Sequence, residues 1–196
     1  MILYRPVGLY EMEKILDLEG KGFPARFEDQ PIFYPVLNAE YARQIAEKWN
    51  QKDIHSGYVG YVTEFIIDDE YIKSFEIHQV GTHIHKEYWI PAEELEEFNR
   101  HIIGSIKIAM AFYGRYFVGI LPSGITGFVE KDSRKQIDVL KRMLEYNSRS
   151  FNCTVFTEWK VVNLNFFLWC ALEQENSIIL GKILSALDKK NIRFIN

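Results

Sequence analysis

Thr82-His83-Ile84-His85-Lys86-Glu87-Tyr88-Trp89-Ile90-Pro91-Ala92-Glu93-Glu94-Leu95-Glu96-Glu97-Phe98-Asn99 sets two histidines and a carboxylate in alternation, then a short apolar run, then a helix start. Side chains of an extended segment alternate between faces, so His83, His85 and Glu87 are expected to point one way. Residues 88–90 read as strand, and Pro91 sits where a helix can begin. Leu95, Phe98 and Ile102 are spaced for one buried stripe that Gly104 ends.

Upstream, residues 1–7 read as a strand, and Gly8 releases it into a helix that buries Leu9, Met12, Ile15 and Leu16. Gly20 and Gly22 end that helix, and an irregular loop follows with Arg26, Glu28 and Asp29 expected at the surface. Residues 31–37 form a second apolar strand, with Pro35 pointing to an edge. Asn38 looks like the N-cap of a helix carrying Tyr41, Ala42, Ile45, Ala46 and Trp49 on its inner face. Residues 57–67 are glycine and β-formers, a strand broken by Asp68-Asp69, and residues 105–113 are another strand.

The texture changes after Gly114. Residues 116–121 and 125–129 flank Pro122-Ser123-Gly124 like the arms of a hairpin. Ser133-Arg134-Lys135-Gln136 reads as a capping box opening a helix. Residues 153–162 and 164–170 read as two apolar strands around Asn163, and a last helix is expected from about Glu175 to Lys189. The fold class expected is therefore α+β, with residues 1–113 as one domain and residues 114–196 as a small α+β extension.

The chain has 196 residues, enough for a real core, and 47% of them are hydrophobic. A net charge of −4 with scattered Lys and Arg gives no surface-wide attraction for nucleic acid. No apolar run reaches a membrane span. Cys153 and Cys170 lack metal or redox spacing and read as two buried free thiols. With no signal-peptide pattern at the N-terminus, a cytoplasmic protein is expected.

Three blocks, Leu3-Tyr4-Arg5-Pro6-Val7-Gly8, Gln30 through Asn38 and His85 through Asn99, resemble a family of small bacterial proteins labelled as ADP-ribosylation proteins. The order strand, helix, strand, helix, strand, glutamate, strand resembles the ADP-ribosyltransferase fold, a split mixed sheet that grips NAD. The resemblance implies that Arg5 and Tyr34 bind NAD and that Glu87 is catalytic. His85 stands two positions before the glutamate, where many transferases carry Glu or Gln, and Phe33-Tyr34-Pro35-Val36 replaces a serine-threonine-serine run. The activity implied is NAD-dependent transfer of ADP-ribose to a protein or small-molecule acceptor, or hydrolysis of NAD.

The chemistry suits these residue types. Loss of nicotinamide leaves a cationic ribose, which a carboxylate such as Glu87 stabilises. Arg5 suits a phosphate clamp, Tyr34 a stacking surface, and His85 the orientation of Glu87 or receipt of a proton. Two other readings stand beside it. One is a non-catalytic binding module that has lost the NAD site. The other is a metal-dependent protein using His83, His85 and Glu87.

Overall fold

The computed structural model describes residues 1–173 and 177–196. They divide into two units, Met1–Phe117 together with Asn196, and Val118–Ile195.

The first unit mixes strands and helices. Strands β1 (Ile2–Val7), β3 (Val59–Ile67) and β7 (Ile102–Tyr113) form a sheet in the order β1-β3-β7. The short pairs are β2 (Ile32–Phe33) with β6 (Ile90–Pro91), and β4 (Ile77–Gln79) with β5 (Lys86–Tyr88). All these pairings are antiparallel, where a split mixed sheet is the expectation from sequence. Val36 links the pieces, bridging Tyr4 on one side and Glu87 on the other. The Tyr4 and Val36 backbones exchange hydrogen bonds of 2.8 and 2.9 Å, and Leu37 N–H donates to the Lys86 carbonyl at 3.0 Å.

Helix α1 (Leu9–Asp17) buries Leu9, Met12, Ile15 and Leu16, the four positions its periodicity names. Asn38 caps α2 (Ala39–Lys48), its side chain accepting from Glu40 N–H and Tyr41 N–H. Here the stripe is narrower than its pattern: Ala42 and Ala46 are buried, whereas Trp49 is exposed. Ala46 leaves room for Gly60, whose absent Cβ would stand 2.4 Å from the Ala46 carbonyl oxygen. Asp68 caps the short α3 (Asp69–Ile72). Helix α4 (Leu95–Arg100) buries Leu95 and Phe98, but Ile102 already belongs to β7, so the expected stripe stops one turn early. On the face of the sheet away from α2, Phe23, Phe33, Phe65 and Phe98 pack with ring centroids 4.8–5.9 Å apart, in edge-on and tilted geometry.

The second unit overturns the strands expected after Gly114. Helices α5 (Gln136–Tyr146), α6 (Ser148–Thr157), α7 (Trp159–Leu172) and α8 (Ile178–Asp188) build it. Residues 153–157 end α6 and residues 159–170 lie in α7, in which Val161 through Phe166, Leu168 and Trp169 are enclosed. A helix apolar all round carries no 3.6-residue stripe and mimics a buried strand. Asn163 is spent inside: its amide donates to the Trp159 and Ile192 carbonyls and its oxygen accepts from Phe194 N–H.

Residues 116–121 and 125–129 form no hairpin. The chain turns not at Pro122-Ser123-Gly124 but just after it, where Gly127 N–H donates to the Gly124 carbonyl at 3.1 Å, and Ser123 N–H is held by the Glu158 carboxylate rather than by a partner strand. The capping box is also absent. Ser133 Oγ donates to the Val118 carbonyl, Gln136 Nε2 donates to the Glu130 carbonyl, and α5 starts without a side-chain cap. Cys153 is exposed and Cys170 half-buried, against two buried thiols expected; burial pushes the Cys170 thiol up. Glu175, the expected start of the last helix, lies outside the described residues. Among the described residues no helix is long and apolar enough to cross a membrane.

Phe98 is fully enclosed among rings, so Phe98→Ala is expected to lower stability by about 3–5 kcal/mol, read from urea unfolding. Gly181 lies within α8 with nothing near its missing Cβ, so Gly181→Ala should raise stability by about 0.5–1 kcal/mol in the same measurement.

Candidate functional site

Glu87 sits in β5 opposite His78 and is buried. Both its oxygens are occupied: Trp89 Nε1–H donates to Oε1 at 2.8 Å and Tyr41 O–H donates to Oε2 at 3.2 Å. Trp89 lies two residues along the chain, and its ring stacks on His78 at 4.1 Å. Tyr34 meets the same indole edge-on at 6.2 Å. Burial, with the Glu87 charge second, pushes the Tyr41 hydroxyl up to about 12.

His83 and His85 do not extend the strand as expected. They lie in the turn before β5, where His85 N–H closes onto the Thr82 carbonyl at 2.9 Å, and the alternation starts only at Lys86. His85 packs on the Tyr41 ring at 4.6 Å. Its Nδ1 accepts from Thr82 N–H at 3.1 Å, which leaves the proton on Nε2 to donate to Gln44 Oε1 at 3.2 Å. The imidazole is thus aimed at α2 and not at the Glu87 carboxylate. His83 is exposed. Among the described residues no three His, Cys, Asp or Glu side chains gather as a metal site.

Arg5 goes elsewhere. Directly paired residues share a face of a sheet. Tyr4 pairs with Glu64 and bridges Val36, which bridges Glu87, so these lie on the α2 face. Arg5 pairs with Thr63 one position along and faces the other side. There its guanidinium stands 4.5 Å above the Phe33 ring and binds Glu11 of α1, Nε to Oε1 at 2.9 Å and Nη2 to Oε2 at 3.4 Å. Nη1 donates to the Tyr34 carbonyl at 3.2 Å. The structure therefore brings Tyr34 and Glu87 together through Trp89, aims His85 at α2, and turns the Arg5 guanidinium to the side of the sheet away from Glu87.

Arg5 lines a cavity of about 720 Å³ between β1, the start of α1, the loop through Arg26 and residues 50–56. A second, more apolar cavity of about 650 Å³ lies between α1 and α4, with Leu18, Phe23 and Leu95 in its wall. Glu87 lines neither. Sequence reasoning missed Glu11, Arg26 and Asn50 here; the loop reading had put Arg26 at the surface, but its side chain is only 13% exposed. It also missed Tyr41 and Trp89. Trp89 had a signal, since it stands two residues beyond Glu87 on one strand face.

Compared with known proteins, the chain matches no family model, no curated protein and no solved structure.

Tyr41 and Tyr71 are both pushed up to about 12 from an ordinary 10.0, each chiefly by burial. The folded chain then holds these protons where the unfolded chain releases them, so stability is intact below pH 10 and falls between pH 10 and 12. Tyr41→Phe should flatten part of that fall, measured by denaturation at a series of alkaline pH values.

Proposed function

We propose that this chain is a non-catalytic binding module that takes a small polar molecule in the cavity beside Arg5. One observation carries the reading: a cavity with charged side chains in its wall lies on the Arg5 face, whereas both oxygens of Glu87 are tied to Trp89 and Tyr41 on the other. About 720 Å³ is within the range that holds small ligands.

A second reading keeps the NAD chemistry that the three sequence blocks imply. It is favoured by the placing of Tyr34 and Glu87 around Trp89, where Tyr34 and Trp89 remain 39% and 42% exposed and offer stacking surfaces. On that reading Glu87 would face the ribose cation, NAD would be the substrate and ADP-ribose would pass to a protein or small-molecule acceptor or to water. It does without Arg5 as the phosphate clamp.

The two readings separate in one assay. For the binding module, wild type and Glu87→Gln release nicotinamide from NAD no faster than buffer does, and NAD leaves the melting temperature unchanged. Release by wild type that is lost in Glu87→Gln would establish the second reading in its place.

A further inference from the structure

The cavity between α1 and α4 has a floor that asks for no polar partner. Phe23 and Leu95 close it, and both are almost fully buried. The amide beside them is already spent: Asn99 donates to the Phe23 carbonyl at 2.9 Å and accepts from Phe23 N–H at 2.8 Å. That close pairing depends on Gly22, whose added Cβ would stand 2.7 Å from the Asn99 amide carbon. The accessible wall is apolar too, with Leu18 45% exposed at the end of α1 and Pro24 and Ala92 half-buried. About 650 Å³ is room for a small molecule.

Charge is spread unevenly around this hollow. Asp17, Glu93 and Glu96 bring three carboxylates to the wall, against the single ammonium of Lys14. Lys14 Nζ stands 5.2 Å from the Phe27 ring centroid, and Phe27 lines the cavity beside Arg5 rather than this one. On the α4 side the cation is Arg100, divided between Glu96 and Glu97. Glu93 and Glu94, in the turn Ala92–Glu94 that leads into α4, have no ion pair among the described residues. Both are exposed, so an incoming cation meets them without displacing a partner.

We propose that the cavity between α1 and α4 binds a small apolar amine, its body against Leu18, Pro24 and Ala92 and its ammonium beside Glu93. This is a second site, separate from the cavity beside Arg5, and it does not rest on the binding-module reading. Burial of the apolar body supplies the affinity. Exposed ion pairs contribute little by themselves, so the carboxylates supply the preference for a cation.

The test titrates the nitrogen-labelled full chain with phenylpropylamine, phenylpropanol and phenylpropionate at constant ionic strength, following backbone amides by NMR. The probes share one apolar body and differ in charge. Saturable shifts are expected at Leu18, Ala92 and Leu95, with the amine bound about two- to fivefold tighter than the alcohol and the carboxylate weakest. Leu18→Ser should weaken the amine and the alcohol about fivefold. Glu93→Gln should shrink the margin between them. Both residues are exposed, so both variants should melt close to wild type. No saturable shift at those amides, carboxylate binding as tight as amine binding, or full affinity in Leu18→Ser overturns the proposal. Shifts confined to Tyr10 and Ser56 also overturn it, since these line the cavity beside Arg5 and not this one. The nicotinamide assay is independent, so NAD cleavage would overturn the module reading without moving these titrations.

Discussion

The pleat of β1 separates Tyr4 from Arg5, and much of the first unit follows from that one alternation. Tyr4 turns toward α2, where it joins Val36, Ala42, Ala46 and Val62. Arg5 turns toward α1 and the phenylalanine cluster. The β1–β3 register, Arg5 against Thr63, leaves no freedom here, because a slip of one residue would exchange every side chain between the two faces. Thr63 reinforces it by donating its hydroxyl to the Arg5 carbonyl at 2.8 Å.

Two polar assemblies then sit back to back. On the α2 face, Glu87 is a junction: it ties β5 to α2 through Tyr41 and orients Trp89, and its charge is met by two donors rather than by a cation. A buried carboxylate with both oxygens occupied steadies its surroundings but has little freedom to meet an incoming group. On the α1 face, by contrast, one carboxylate meets two guanidinium groups. Glu11 is divided between Arg5 and Arg26, and the hollow beside them stays open.

Parts of this were legible in the chain. The Asn38 cap, the four buried positions of α1 and the β-rich run leading to Ile67 are local patterns, each decided by neighbours within a few residues. The helices of the second unit were not, because Val161 through Trp169 is apolar apart from Asn163 and Asn165 and buried almost throughout, and period alone cannot separate such a helix from a buried strand. The capping box failed for a related reason: Ser133 and Gln136 found distant carbonyls, at Val118 and Glu130, in place of each other. His83 and His85 were read as strand, yet the chain turns at Thr82 before pairing begins.

Sequence alone determined the residue types that matter: a glutamate ahead of an indole, an arginine in the first strand, and helices with one apolar stripe. Those depend on spacing along the chain, which tertiary contacts do not change. Which of these residues meet was decided only by the fold. Strand register sends Arg5 and Glu87 to opposite sides, and the loop through Arg26 closes over Glu11 because a carboxylate contributed by another element stands there. Pairing partners of that kind are set by packing across many intervening residues, and no local pattern encodes them.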